Sequence, residues 1–389
     1  MTRKIQTLNS ISKKGLARLP EGYTVANDIA APDAILVRSQ VMHDMAIAES
    51  VLCIGRAGAG TNNIPVKAMS DKGVVVFNAP GANANAVKEL VIAGMLIGTR
   101  NLFPALRFVN GLVGDDESLL KQAEAGKKHF VGHELRGSTL GIIGLGAIGS
   151  QLAESAIQLG MNVVGYDPEI TVDAAWRLPS QVRKATSVDD LVKRADFISL
   201  HVPLLPATKD LINAERIKLM KKGAVLLNFS REGIVNDHAA FDGLNEGRLH
   251  AYVCDFPSNL LRSHPNFVAL PHLGASTEEA EENCAIMVAE QVADYLENGN
   301  ILNAVNFPNI SMPRESAYRL AIANANVPNM LGQISTALAG AGLNIHNMVN
   351  KSRGDFAFTL VDVESAVPQT LIDQLKTIGG VLRVRYLPA

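Results

Sequence analysis

Two side chains in this sequence are placed for chemistry: Arg231 in Asn228-Phe-Ser-Arg231-Glu-Gly233, and His272 in Pro271-His272-Leu-Gly274. Each stretch follows a short apolar run of the kind that forms a buried strand. Both are therefore expected beyond the carboxyl ends of strands, where open parallel sheets bind their ligands. A histidine titrates near neutrality and can take a hydroxyl proton as general base. An arginine can hold a carboxylate through its planar fork and polarise an oxygen that is becoming a carbonyl. Beside a nicotinamide, this pair would carry out hydride transfer from a secondary alcohol. A third strand end, His201-Val202-Pro203, opens a loop expected to contact the cofactor, while His201 itself, like His264, reads as a structural residue.

Such chemistry needs a nicotinamide site, and the stretch Thr139-Leu-Gly-Ile-Ile-Gly144-Leu-Gly146-Ala147-Ile148-Gly149 supplies one. An apolar strand over 140–143 runs into G-x-G-x-x-G, and residues 150–159 then have a helical pattern, which is the context that gives the fingerprint its meaning. Gly144 would make the tight turn, Gly146 would let backbone approach a pyrophosphate, and Gly149 would let helix pack on strand. The helix N-terminus offers unpaired N–H groups to the phosphates. A second strand over 162–167 ends in Asp167, where a ribose-binding carboxylate belongs. A carboxylate there repels a 2′-phosphate, so the expected cofactor is NAD and not NADP.

The chain has 389 residues, 47% of them hydrophobic, and a formal net charge of -2. That length predicts two or three domains. The charge gives no field for nucleic acid or a membrane surface. Cys53, Cys254 and Cys284 are odd in number and sit in apolar runs, so they read as reduced core residues and not as a disulfide set or a metal site. No signal core and no membrane-length apolar run is evident, and the expectation is a soluble cytoplasmic protein.

Residues 4–80 alternate strands (4–8, 34–37, 51–54, 74–77) with helices such as 65–72, which implies a parallel sheet. Arg38 and Arg56 end two of these strands, the second running into Arg56-Ala57-Gly58-Ala-Gly60, and together they read as an anion site. After the turn Asn78-Ala-Pro-Gly-Ala-Asn83, residues 84–107 read as one long buried helix, and 111–137 as a polar loop. Further βα units follow to residue 270, and a helix over 277–298 is expected to return to the first domain. Residues 306–313 read as a proline-punctuated linker. Beyond it the order strand–helix–strand–strand–helix–strand is the ferredoxin-like split arrangement. The expected fold is thus α/β: two Rossmann-like parallel-sheet domains with a C-terminal βαββαβ domain. The domains would be 1–92 with 270–305 for the substrate, 93–269 for NAD, and 316–389 for regulation.

Over residues 4–305 the chain resembles the D-isomer-specific 2-hydroxyacid dehydrogenases. The motifs that carry the likeness are Val-Arg38-Ser39, Gly55-Arg56-Ala-Gly-Ala-Gly-Thr-Asn62-Asn-Ile, Asn78–Asn83, Gly144–Gly149, Asn228–Gly233 and Pro271-His272-Leu-Gly-Ala-Ser-Thr277. Arg38, Arg56 and the tail point within this family to the branch that oxidises D-3-phosphoglycerate and carries a C-terminal ACT domain. The resemblance implies Arg231 and His272 as catalytic arginine and acid/base. Ala57, Gly58 and Asn83 would hold substrate, through backbone N–H groups at the first two, with Arg38 and Arg56 on its phosphate. Asp167 would take the adenine ribose and Asp255 the nicotinamide carboxamide. Val202, Pro203, Phe229, Ser230 and Gly274 would also touch NAD, with Gly144, Gly146, Ala147, Ile148 and Gly149 at the pyrophosphate. In the tail, Asn324, Asn326 and Asn344 match where serine-sensing ACT domains bind their amino acid between paired chains, which implies an L-serine effector and a homodimer or homotetramer. The tail itself is expected to be removable without loss of hydride transfer.

One departure stands out. The family places a glutamate after Asp255 that orients the histidine, and here Cys254-Asp255-Phe256-Pro257-Ser258-Asn259-Leu260 has none. His272 is therefore expected to work without a dedicated carboxylate. The rival readings are a glyoxylate/hydroxypyruvate or D-lactate-type reductase, and an NAD(H)-sensing corepressor on the same fold.

Overall fold

The computed structural model describes residues 2–388. The chain divides into two compact units, Met1–Asn83 with Glu278–Ala389, and Ala84–Thr277. In the first, β1 (Lys4–Leu8), β2 (Thr24–Ala26), β3 (Ala34–Val37), β4 (Cys53–Arg56) and β5 (Val75–Phe77) form a parallel sheet in the order β2-β1-β3-β4-β5. The central strands β3 and β4 and the strand β5 are buried almost throughout, as in a sheet covered on both faces. Ile5, Leu36 and Phe77 are fully buried in one core with Val288, Val292 and Tyr295 of the helix Glu278–Asn298. The strand order reverses between β1 and β3, and a reversal of this kind leaves a crevice at the strand ends.

The second unit is a seven-stranded parallel sheet. Its strands are β6 (Thr139–Ile143), β7 (Asn162–Tyr166), β8 (Arg183–Lys184), β9 (Phe197–Leu200), β10 (Ala224–Asn228), β11 (Leu249–Cys254) and β12 (Phe267–Ala269). Their order is β12-β11-β10-β9-β6-β7-β8, with the reversal between β6 and β9. Two expectations fail here. The stretch read as one helix is two, Ala84–Thr99 and Leu102–Asn110, bent by 66°. Asn101 breaks them with φ 51°, in the left-handed region that asparagine tolerates, and its amide donates to Val131 O (3.1 Å) and faces His250 Nε2 (3.0 Å). The stretch read as a polar loop contains the helix Asp116–Gly126, whose N-cap Asp115 accepts from Ser118 N at 2.9 Å. No single helix among the described residues is long and apolar enough to cross a membrane.

The tail returns to the first unit. β13 (Tyr318–Ala325), β14 (Ile345–Arg353), β15 (Phe356–Val363) and β16 (Val381–Pro388) form an antiparallel sheet ordered β14-β15-β13-β16. With its two helices, Met330–Gly340 and Gln369–Thr377, this is the expected βαββαβ fold. Period-two alternation gives the sheet two buried faces. Leu320 and Ile322 pack under the two helices, while Ala321, Ala323, Phe358 and Leu360 join the core of the first unit.

The segment read as a linker is accordingly packed. Phe307, Ile310 and Met312 are at most 1% exposed, and the Phe307 ring meets Phe356 at 5.6 Å and Phe358 at 6.0 Å. Asn306 closes β5 by accepting from Val76 N (2.9 Å) and donating to Val74 O (2.9 Å). Four tail-side arginine contacts finish the helix Glu278–Asn298, which has no basic residue in its own last turn. Arg385 donates to Tyr295 O and Leu296 O (3.0 and 2.9 Å), Arg314 to Glu297 O (3.0 Å) and Arg319 to Asn298 O (3.0 Å). Cations at a helix C-terminus satisfy orphan carbonyls and offset the dipole.

Candidate active site

The glycine fingerprint sits between β6 and the helix Ala147–Gln158, at the β6/β9 reversal. Gly144 has φ 93°, and a Cβ on Gly149 would collide with the carbonyl oxygen of Gly144. Gly146 faces open space, with nothing within 4 Å of where its Cβ would be. That bare helix N-terminus fits a dinucleotide pyrophosphate. Asp167, half-buried at the end of β7, reaches across to the fingerprint loop and accepts from Leu145 N at 2.8 Å through Oδ2. Its carboxylate thereby sits at the edge of the fingerprint.

Arg231 and His272 stand on two neighbouring loops that share buried supports. Asn228, 1% exposed at the end of β10, donates to Arg231 O at 2.9 Å and accepts from Ser230 N at 3.2 Å. Ser230 Oγ donates to Val202 O at 2.7 Å, tying on the His201-Val202-Pro203 loop. Arg231 itself is exposed. Continuing the β10–β11 pairing, Asp255 N donates to Asn228 O (3.2 Å), and continuing the β11–β12 pairing, His272 N donates to Asp255 O (3.2 Å). The Asp255 carboxylate, 1% exposed, accepts from Leu273 N (3.0 Å) and Gly274 N (2.7 Å). Each such charge-assisted bond contributes about 1.5–3 kcal/mol. Together they hold His272 at φ 56°, a left-handed geometry that costs a non-glycine residue about 1–2 kcal/mol. The His272 ring is exposed and packs edge-on against Phe256 at 5.3 Å. Among the described residues no carboxylate hydrogen-bonds that ring.

Three expected roles need revision. Asp255 is buried under the His272 loop with both carboxylate oxygens bonded to backbone, so in this structure it fixes that loop and is not presented to a carboxamide. Phe229 is 6% exposed and turns its ring into the core against Gly94, leaving only backbone for a cofactor. The N–H groups of Ala57 and Gly58, expected on a substrate carboxylate, already donate to Val37 O and Arg56 O at 2.8 Å each. Sequence reasoning also passed over Asn228. Its signal was an asparagine closing an apolar run just before a turn, where its amide can stand in for backbone. His201 is structural: Nε2 meets Ser199 Oγ at 2.9 Å, and burial pushes its pKa down to about 4.

Both arginines read as an anion site lie in the first unit. Arg38 follows β3 at the β1/β3 reversal, where Asn9 Oδ1 accepts from Ser39 N and Gln40 N (3.1 and 2.6 Å). Arg56 ends β4 and donates from Nε to Arg38 O at 3.1 Å. The two guanidinium groups therefore belong to adjacent strand ends. Arg38 is ion-paired with Glu281. Asn83 lies in the loop that ends this unit, and Asn78 anchors the same loop through Ala59 O at 2.5 Å.

The tail asparagines do not converge within one chain. Asn324 and Asn326 lie where β13 meets Phe356, the start of β15. Asn344 precedes Ile345, which pairs with Val363 beside Tyr318, at the other end of the sheet. Some six residues of strand separate the two ends, roughly 20 Å. Asn324 is 1% exposed and its Oδ1 has no partner, while Asn326 donates to Gly354 O at 3.0 Å.

Residues 105–274 match the NAD binding domain of D-isomer specific 2-hydroxyacid dehydrogenases. The chain is 39% identical over 321 residues to a D-3-phosphoglycerate dehydrogenase of Methanocaldococcus jannaschii, covering 80% of this chain and 58% of that protein. It is 35% identical over 353 residues to the D-3-phosphoglycerate dehydrogenase of Haemophilus influenzae, covering 87% and 82%. Among solved structures it resembles NAD+-bound 3-phosphoglycerate dehydrogenase of Entamoeba histolytica, with TM-score 0.60 and 28% identity, over 79% of this chain and 99% of that one.

Proposed function

Since the chain belongs to the D-isomer-specific 2-hydroxyacid dehydrogenases, we propose that it oxidises D-3-phosphoglycerate to 3-phosphohydroxypyruvate with NAD, the reaction that opens L-serine synthesis. The observation that carries this reading is the arginine pair at the ends of β3 and β4. A 2-hydroxy acid has one carboxylate, which Arg231 serves, and a second anion clamp has use only for a second anion. Gly144, Gly146, Ala147, Ile148 and Gly149 would hold the pyrophosphate, Asp167 the adenine ribose, and Val202, Pro203, Ser230 and Gly274 would line the nicotinamide end. NAD, when bound, supplies the hydride acceptor. His272 takes the proton of the substrate hydroxyl, Arg231 holds the carboxylate and stabilises the oxygen as it becomes a carbonyl, and Arg38 with Arg56 orients the phosphate. Arg56→Ala should raise KM for D-3-phosphoglycerate roughly 30-fold, the equivalent of about 2 kcal/mol for a lost charged contact. D-Glycerate should show little change. Equal losses on both substrates would return the family's unphosphorylated acids as the better reading.

The tail reading is regulatory. Asn324 and Asn326 of one chain with Asn344 of a second would complete an L-serine site in a homodimer or homotetramer. The helix Glu278–Asn298 supports such a role, since its last turn is held by tail arginines and its first turn carries the partner of Arg38. Leu106, Val109, Val113 and Leu120 are 54–77% exposed and offer apolar surface to a second copy. Sedimentation should show an assembly of two or four chains, and calorimetry should show heat with millimolar L-serine. A monomer, or no heat, would leave the tail as a structural brace. A reducing compartment such as the cytoplasm fits the cysteines, which are unpaired and buried, with burial pushing the Cys53 and Cys254 thiols up to about 12.

A further inference from the structure

One arginine of the pair, Arg38, is already engaged by an acid of the chain itself. Glu281 sits in the first turn of the helix Glu278–Asn298, and its Oε1 is ion-paired with Arg38 Nη2. Arg56 donates to the Arg38 carbonyl at 3.1 Å, so the glutamate's partner stands at the strand end next to the second arginine. Burial pushes the thiol of Cys284, on the next turn, up to about 11, with Arg56 and Arg38 opposing that rise and Glu281 adding to it. The neighbouring Glu282 points elsewhere, to Lys14 at 2.7 Å. Both side chains of the Arg38–Glu281 pair are about two-fifths exposed (39% and 41%), which makes it a weak and exchangeable ion pair. Glu281 also has somewhere to go, because a carboxylate in the first turn is favoured by the helix dipole with or without Arg38.

We propose that Glu281 is an internal competitor for the phosphate subsite and thereby sets substrate selectivity. This rests on the reading that Arg38 receives the phosphate. A dianionic phosphate outbids one carboxylate for the guanidinium and displaces it. An unphosphorylated acid has no group to displace it with, and Arg38 stays closed. The glutamate thus acts as a repulsive element against the wrong ligand, at the cost of some affinity for the right one.

The test uses the full-length enzyme with Glu281→Gln, Arg38→Ala and, as a control that removes the same charge one residue away, Glu282→Gln. Steady-state KM for D-3-phosphoglycerate and competitive inhibition by inorganic phosphate are measured for each. Glu281→Gln should lower both KM and the phosphate inhibition constant roughly three- to ten-fold by removing a competing and repelling charge. Glu282→Gln should leave both within about two-fold. A KM that rises in Glu281→Gln would show that the glutamate positions Arg38, and an unchanged KM would show that it does nothing for substrate; either overturns the proposal. If Arg38→Ala is selective for the phosphorylated substrate, such a failure belongs to Glu281 alone. If Arg38→Ala weakens D-3-phosphoglycerate and D-glycerate alike, the phosphate reading has failed as well.

Discussion

His272→Asn is expected to lower kcat about a thousand-fold while leaving NADH affinity within about two-fold. The first half follows from losing a positioned general base, whose removal typically costs 10²- to 10⁴-fold. The second follows from where the residue sits. His272 is exposed, its backbone is left-handed, and its loop is held by the Asp255 carboxylate through Leu273 N and Gly274 N. Asparagine tolerates the left-handed region nearly as well as any side chain except glycine. The substitution therefore removes the imidazole without asking the loop to move, and an alanine there would confuse the two effects. Retention of more than a tenth of kcat would place the base elsewhere. A matching loss of NADH affinity would show that the loop itself had collapsed.

Arg319→Leu should be the most destabilising single substitution in the tail. The guanidinium and the Asp362 carboxylate form a two-point pair at 2.6 and 2.8 Å with both side chains 0% exposed. The same arginine donates to Asn298 O, Met312 O and Pro313 O at 2.8–3.0 Å. It therefore fastens β13 to the end of the long helix and to the arm that precedes the tail. Removing one partner of a buried pair leaves the other charge stranded and costs about 3–5 kcal/mol, a large share of the 5–15 kcal/mol that keeps a domain folded. Thermal unfolding should begin well below the wild-type transition. Arg319→Leu with Asp362→Leu should recover part of the loss, because no charge is then left uncompensated. A single variant that melts with wild type would mean that the pair is not closed in solution.

That expectation reverses the idea that the tail can be cut away. Truncation after residue 309 would uncover Tyr295, Ile301 and Phe307, all at most 1% exposed, and remove the arginines that finish the helix Glu278–Asn298. The sequence invites the opposite reading because Pro308 and Pro313 look like linker punctuation. What separates a linker from a packed arm is whether Phe307, Ile310 and Met312 find a surface, and that surface is built by residues far away in sequence.

Elsewhere local pattern was enough. The fingerprint at Gly144–Gly149, the acid at Asp167, and the strand ends carrying Arg38, Arg56, Arg231 and His272 were legible because turn geometry and strand period restrict residue type position by position. The support beneath them was not legible. That Asp255 braces the His272 loop depends on the pairing of β11 with β12, and that Asn344 lies a sheet's length from Asn324 depends on a strand order no spacing states. The Arg38–Glu281 pair joins a residue just after β3 to a helix more than two hundred residues later, and glutamates at a helix start are explained locally by the dipole without any such partner.

The central claim is tested most directly by following NADH formation from D-3-phosphoglycerate, with D-glycerate and D-lactate as alternative substrates, NADP as alternative cofactor, and reduction of glyoxylate as the reverse-direction comparison. The expected result is turnover with D-3-phosphoglycerate and NAD whose kcat/KM exceeds that of every other combination by at least ten-fold. Equal or faster turnover of an unphosphorylated acid, or equal use of NADP, would contradict the account.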